Sequence, residues 1–212
     1  MKEGGYHEAV FINCPFDRQY DPILKAVIYA VYRCGFIPVT AMDEDDASDA
    51  RLSKIIRKIR DCRYGIHDLS RVETSGNGYP RFNMPFELGI FFGAKNLGSS
   101  RQRMKSALIF ERRRFTYQKY ISDLNGVDTK SHKNDFRIVM REIRDWLRTN
   151  SGRSTIPGYA VIDRQYLQFK KILPGMIQRM GFTAGNLPYT EYKTIVQEVV
   201  KAQVEAAWSF GA

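Results

Sequence analysis

Glu87 is the residue that, by its type and its neighbours, is best suited to carry chemistry in this sequence. It is the only acidic residue between Glu73 and Glu111, and it lies in an otherwise apolar stretch. Asn83 and Pro85 precede it and predict the start of a helix, with Asn83 as its cap. We expect the helix dipole to keep the Glu87 carboxylate ionised at neutral pH, so that it can attack or stabilise a cationic centre. The simpler alternative is an acid that only stabilises its helix.

Other polar and aromatic residues are expected to surround Glu87, because they follow predicted strands or precede Glu87 in its helix. Together they could form an aromatic-walled pocket with a few fixed polar groups. The predicted substrate-binding residues are Asn13, Phe16, Asp17, Tyr20, Asp68, Asn83 and Phe86.

Several of these residues have a purely structural alternative. Phe16 and Phe86 could belong to the hydrophobic core, and Tyr20 could pack at the surface. Asn13 and Asp68 could cap local turns.

Short apolar runs alternate with stretches in which apolar residues recur at helical spacing. This alternation predicts an α/β fold with a doubly wound parallel sheet of about five strands, where ligands bind beyond the carboxyl ends of the strands. The predicted strands are 9–13, 36–41, 63–70, 106–110 and a weak fifth strand or loop near His132. Helices are expected at 21–34, 52–62, 83–94, 115–124 and 136–147, with an acidic loop at 42–49 and a turn-rich loop at 75–80.

Residues 151–158 are rich in Gly, Ser and Pro and indicate a boundary. We therefore divide the chain into an α/β domain, 1–150, and a C-terminal helical extension, 151–212. Two helices, at about 163–180 and 189–208, are expected in the extension, with apolar positions that pack on the core or on a partner.

Several classes of protein are excluded by missing signals. The sequence has no P-loop, GxGxxG, HExxH or GxSxG motif, which argues against Walker ATPases, ordinary Rossmann dehydrogenases and α/β-hydrolases. It has no long apolar run, so neither a membrane span nor a signal peptide is expected. Cys14, Cys34 and Cys62 lack zinc-ligand spacing, so no metal site is expected, and their odd number fits a reducing cytoplasm.

The chain is basic, with 33 Lys and Arg residues against 23 acids and a formal net charge of +10. The positive residues are dispersed, and the densest clusters, 101–105 and 112–114, flank one predicted strand. No DNA-binding motif is visible, so nucleic acid is not the expected partner. The clusters are interpreted as a solvated rim, or as a surface that attracts an anionic ligand.

Taken together, these features resemble the TIR domain family, in particular its bacterial TIR-like branch. The resemblance covers roughly residues 7–148 and rests on the opening strand Ala9–Asn13, the polar and aromatic loop at 14–20, the acidic loop, and the Glu87-Leu88 pair in a helix after the third strand. Many TIR enzymes have Trp four residues before the glutamate, where this chain has Asn83.

The resemblance implies a flavodoxin-like fold and cleavage of NAD at the nicotinamide–ribose bond, with Glu87 as the catalytic residue. NAD is then the substrate, no cofactor is required, and the product could be an ADP-ribose-type signal in bacterial antiphage defence. The expected partners are a second copy of the chain in a homo-oligomer or a partner defence protein. The segment 86–94 also looks like the nucleoside deoxyribosyltransferase family, in which a glutamate breaks an N-glycosidic bond.

Chemistry distinguishes these two resemblances. Nicotinamide is cationic in NAD and leaves as a neutral molecule, so no general acid is needed. A nucleobase leaves poorly unless it is protonated, so a nucleoside-cleaving enzyme needs a second acid. Asp68, alone or assisted by His67, is the candidate, and the alternative for His67 is a structural histidine. Because no pair is as evident as Glu87 alone, the sequence favours NAD. A non-catalytic module that binds a nucleotide or a TIR domain is the remaining alternative.

Overall fold

A five-stranded, all-parallel β-sheet organises the protein. The computed structural model describes residues 5–44, 48–70, 82–183 and 185–209. The strands are β1 (Ala9–Asn13), β2 (Ile37–Val39), β3 (Tyr64–Asp68), β4 (Ser106–Glu111) and β5 (Lys130–Ser131). Their order in the sheet is β2-β1-β3-β4-β5, and every pair is parallel. This is the flavodoxin-like, doubly wound α/β arrangement that the strand and helix alternation predicted.

Seven helices connect and flank the strands. They are α1 (Asp21–Arg33), α2 (Arg51–Asp61), α3 (Asn83–Leu97), α4 (Ser100–Arg103), α5 (Phe136–Ser151), α6 (Tyr159–Arg179) and α7 (Tyr189–Ser209). Their starts follow local signals, since Pro22 lies in the first turn of α1 and the Asp135 side chain accepts the Arg137 N–H at the start of α5. Gly152 ends α5 in the left-handed conformation, at φ 70°. No helix in the described ranges is long and apolar enough to cross a membrane.

Two local predictions were wrong. Asn83 is the first residue of α3 rather than its cap; Phe82 occupies the cap position and makes no side-chain capping bond. The segment 115–124 is not one helix but two 3-10 turns, Tyr117–Lys119 and Ser122–Leu124. Buried Glu111 explains the second difference, because its carboxylate accepts the backbone N–H groups that begin this segment. The turn-rich loop 75–80 and part of the acidic loop lie outside the described residues.

The C-terminal helices share the hydrophobic core of the sheet domain. The Tyr29 ring of α1 stacks on the Phe169 ring of α6, with centroids 5.6 Å apart. It also packs against the Tyr166 ring of α6, with centroids 4.9 Å apart. From α7, Val196 is fully buried in the same cluster, and the Tyr192 hydroxyl donates to the Lys25 carbonyl of α1. The extension was expected to pack on the core or on a partner. In the structure it packs on the core of its own chain.

We expect Phe169→Ala to lower the free energy of unfolding by about 3 kcal/mol or more, because it leaves a cavity beside Tyr29. Ile172→Ala, one turn along the same helix, is the matched control: Ile172 is 53% exposed, so its truncation should cost less than about 1 kcal/mol. Chemical unfolding followed by circular dichroism measures both. Equal losses in the two variants would mean that α6 does not stabilise the sheet domain.

Candidate functional site

The candidate site lies at the carboxyl ends of β1 and β3, where the strand order reverses and ligands bind in open α/β sheets. Asn13 ends β1 opposite His67 of β3. The Asn13 Nδ2 atom donates to the Met84 carbonyl at 2.8 Å and lies 3.1 Å from His67 Nδ1. This side-chain amide therefore fixes the first turn of α3, which carries Glu87, against the edge of the sheet.

Asp68, at the end of β3, is fully buried and surrounded by donors. The Tyr20 hydroxyl donates to Oδ2 at 2.5 Å, and the Ser70 N–H donates to Oδ1 at 2.8 Å. The Ser70 hydroxyl also bonds Oδ1, and His132 Nε2 lies 3.1 Å from Oδ2. Burial alone would raise the pKa of Asp68, but the bonds from His132, Ser70 and Tyr20 hold it below its usual value. Asp68 is thus an ionised structural carboxylate.

His132 completes this network without forming a catalytic triad. Its Nδ1 accepts the Asn134 N–H at 3.0 Å, which leaves Nε2 as the protonated nitrogen. That same Nε2 faces both the Ser70 hydroxyl, at 2.8 Å, and Asp68. A serine–histidine–acid triad needs the serine and the acid on opposite ring nitrogens, so this arrangement cannot relay a proton.

His67 is also unsuited to acid catalysis. It is fully buried, and desolvation, followed by the charge of Lys105, lowers its pKa to about 3. Because Nδ1 faces the Asn13 amide, the proton lies on Nε2, which has no hydrogen-bond partner in the described part of the chain. The ring packs edge-on against Phe91 at 4.9 Å. The geometry thus favours the structural interpretation of this histidine.

Glu87 differs from Asp68 in the direction in which its surroundings shift its pKa. Its side chain lies one turn inside α3 and is 8% exposed. Burial raises its pKa to about 7, opposed only by the positive charge of Arg51. The expectation that the helix dipole keeps Glu87 fully ionised was therefore wrong, because the dipole acts mainly within the first turn and desolvation outweighs it here.

Three aromatic side chains from α3, the residue before it and the loop after β1 are exposed. Phe86 is 56% exposed and Phe82 61%, and the two are one helical turn apart. Phe16, which follows β1, is 38% exposed. The alternative that Phe16 and Phe86 belong to the core is thus wrong. Asn83, also exposed, lies one turn before Glu87 on the same side of α3.

The predicted residues divide into two groups. Phe16, Asn83 and Phe86 are exposed, whereas Glu87 is buried. Tyr20 is buried rather than packed at the surface, and Asn13 and Asp68 bond within the protein. Asp17 accepts the N–H groups of Gln19 and Tyr20, both at 3.0 Å, and so shapes the loop between β1 and α1.

The sequence analysis missed Ser70 and His132 as members of the Asp68 network. They lie 62 residues apart in the chain, and no motif links them. Arg51, which acts on Glu87, was missed for the same reason. The pairing of β3, β4 and β5 brings Ser70 and His132 together.

No nucleophilic cysteine or metal cluster accompanies the site. Burial raises the pKa of the Cys14 thiol well above its usual value, and the charges of Asp68, Glu87 and Asp17 raise it further. These three acids are therefore within electrostatic reach of one thiol, which places them in one neighbourhood. Within the described ranges, no three His, Cys, Asp or Glu residues are grouped to hold a metal ion.

Two cavities lie away from Glu87. One, of about 790 Å³, is bounded by the loops after β4 and β5 and by α5. The other, of about 580 Å³, lies between the β2 edge and helices α2 and α7. Neither has Glu87 among its described lining residues.

Comparison with known proteins gives no family assignment. The sequence matches no protein-family model, and a search of curated proteins also finds no match. The fold and the site geometry therefore carry the functional argument alone.

Replacement of Glu87 by glutamine should stabilise the protein increasingly as the pH rises. The pKa of Glu87 is near 4.5 when unfolded and about 7 when folded, so wild-type stability falls as the pH rises between these values and stays low above 7. We expect Glu87→Gln to gain on the order of 2 kcal/mol at pH 8 relative to pH 5. Thermal and chemical unfolding at both pH values measure this gain.

Asp68→Asn is the control with the opposite sign. The pKa of Asp68 is lowered in the folded protein, so its charge stabilises the fold above the unfolded pKa and this contribution is lost as the pH falls. Asp68→Asn should therefore destabilise the protein at pH 7, and the loss should shrink on acidification. A Glu87→Gln gain that does not change with pH would contradict the assigned pKa.

Proposed function

We propose that this protein cleaves the N-glycosidic bond between nicotinamide and ribose in NAD, with Glu87 as the catalytic residue. One observation carries the proposal: the Glu87 carboxylate is almost fully buried and has a pKa of about 7, and it lies in the helix whose first turn Asn13 holds at the switch point of a parallel sheet. A desolvated carboxylate interacts strongly with a positive charge that develops on a bound ligand.

The reaction needs only this one acidic group. The C1′–N bond breaks, and its electron pair neutralises the nicotinamide nitrogen, so nicotinamide leaves without a proton. The Glu87 carboxylate stabilises the cationic ribosyl centre or attacks it. Water then adds to C1′ and releases its proton to Glu87 or to solvent, which yields ADP-ribose and nicotinamide. Attack by a hydroxyl of the same ligand would instead give a cyclic product.

The state of Asp68 favours NAD over a nucleoside substrate. Departure of a nucleobase needs a proton donor, and Asp68 was the candidate from the sequence. Its carboxylate is ionised, fully buried and saturated by donors, so it has no proton to give. His67 is neutral and equally buried. NAD, whose leaving group needs no protonation, requires neither of these two groups as an acid.

The surrounding residues have separate roles in this proposal. Phe86 and Phe82 offer exposed faces on which the nicotinamide ring can stack. Asn83 is placed to bond the ribose hydroxyls or the carboxamide, and Phe16 closes the side formed by β1. Asn13 and Asp68 position the strands and α3 without touching substrate. Assembly into a homo-oligomer, or with a partner defence protein, would cover the carboxyl ends of β1 and β3.

Incubation of the purified protein with NAD tests the proposal, with nicotinamide release followed by chromatography. We expect Glu87→Gln to lower the rate by roughly a hundredfold or more, because the charge that stabilises the ribosyl cation is removed. Glu198→Gln, an exposed acid of α7, is the matched control and should retain full activity. The assay is run over a range of protein concentrations, so that assembly is included.

The other readings predict different results in the same experiment. Release of bases from nucleosides or deoxynucleosides, without nicotinamide release from NAD, would establish a nucleoside-cleaving enzyme. Tight NAD binding that is unchanged in Glu87→Gln, with no turnover at any protein concentration, would establish a non-catalytic module. Equal turnover in wild type and Glu87→Gln would remove Glu87 from the mechanism.

The pH dependence of kcat/KM provides an independent test. Glu87 acts as a carboxylate, and its pKa in the free protein is about 7, so kcat/KM should rise about tenfold per pH unit below this value and level off above it. A rate that is constant from pH 5 to pH 8 would show that the ionisation of Glu87 does not control the reaction.

A further inference from the structure

We propose that the 790 Å³ cavity at the ends of β4 and β5 is a second ligand site, which binds the phosphate chain of a small polyphosphate-bearing molecule. Six of its nine lining residues are cationic and one is acidic. The cationic residues are Arg112, Arg113, Arg114, Lys130, Lys133 and Arg141. They come from the loop after β4, from β5 and its following loop, and from α5, so three separate elements converge on one concavity.

The positive charge of this cavity is almost uncompensated. Among its cations, only Lys130 forms an ion pair within the described residues, with Asp128 at 3.2 Å. Some arginines elsewhere are neutralised, as Arg57 is by Glu44 and Asp49. Like charges held together without counter-ions repel one another, and an anionic ligand relieves that repulsion.

The walls of the cavity are held rigidly before any ligand binds. Glu111, which is 1% exposed, accepts the backbone N–H groups of Phe115 and Thr116 at 2.9 Å and bonds the Thr129 hydroxyl. This buried carboxylate fixes the turn that carries the three arginines. The Arg112 carbonyl in turn accepts the Ser131 hydroxyl at 2.8 Å and the Lys133 N–H at 3.2 Å.

Lys133 provides a further sign that the site is built. It adopts a left-handed backbone, at φ 51°, which is unfavourable for a side chain without a special reason. The bond from its N–H to the Arg112 carbonyl holds it there, and its side chain then lines the cavity. Ordering these loops early reduces the entropy cost of binding an anion.

The composition of the lining identifies the ligand class. Arginine binds phosphate oxygens in a bidentate manner, and three consecutive arginines suit several linked phosphates. None of the described lining residues is aromatic, so they offer no platform for the base stacking that single-stranded nucleic acids require. Its volume is that of a small-molecule site. We therefore assign a compact polyphosphate, such as the triphosphate of a nucleotide.

Titration calorimetry with inorganic triphosphate, ATP and a short single-stranded DNA tests this assignment in the full-length protein at low salt. We expect triphosphate and ATP to bind with similar affinity, because the phosphate chain makes the contacts. The triple variant Arg112→Gln, Arg114→Gln, Lys133→Gln should weaken both by about tenfold or more. A matched triple, Lys171→Gln, Arg179→Gln, Lys201→Gln, removes the same charge from exposed positions of α6 and α7 and should leave binding unchanged.

Each other outcome overturns the proposal. Absence of triphosphate binding, or an equal loss in both triple variants, means that the cavity is only part of a basic surface. Clear preference for the DNA, with affinity that grows with its length, makes it a nucleic-acid site. A raised KM for NAD in the cavity variant makes it the pyrophosphate end of the Glu87 site. Circular dichroism confirms that both triples fold, and the Glu87→Gln assay is independent of these measurements.

Discussion

The carboxylate of Asp68 imposes the constraint on which the carboxyl edge of the sheet depends. A buried charge is stable only when donors replace the water it has lost, and Asp68 obtains them from Tyr20, Ser70 and His132. Tyr20, Ser70 and His132 lie in the segments that follow β1, β3 and β5. A single charged group therefore connects loops that are distant in sequence. Loss of the charge would leave several donors buried without partners, which makes the network costly to alter.

Asp68 and Glu87 have pKa values that are shifted in opposite directions. Asp68 is buried among donors, and its pKa is held low. Glu87 is buried beside apolar groups, with only Arg51 opposing desolvation, and its pKa rises to about 7. Such a separation of pKa values usually distinguishes the reacting acid from the supporting one. The fold can carry the cost of the desolvated Glu87 because the satisfied Asp68 network stabilises the loops around it.

Buried acids also organise the region beyond the ends of β1 and β3. Glu111 shapes the turn after β4 in the way that Asp68 shapes the end of β3, by accepting backbone N–H groups. This bonding replaces a predicted helix at 115–124 with two short turns, because the first N–H groups are directed at the carboxylate. It also fixes the turn whose three arginines line the 790 Å³ cavity. The positions of the basic residues in the fold are therefore more informative than the net charge of +10.

The sequence by itself determined the element order, the parallel sheet, the helical extension and the unusual position of Glu87, because these depend on local periodicity and on turn residues. It also placed Asn83 on the same side of the helix as Glu87, since four residues make about one helical turn. Only the tertiary structure decided which polar residues are open and which are internal. Burial, hydrogen bonding and pKa depend on segments that meet through strand pairing, as His132 meets Asp68, and no local pattern encodes those distances. For the same reason, the raised pKa of Glu87 and the grouping of the basic residues became evident only from the folded chain.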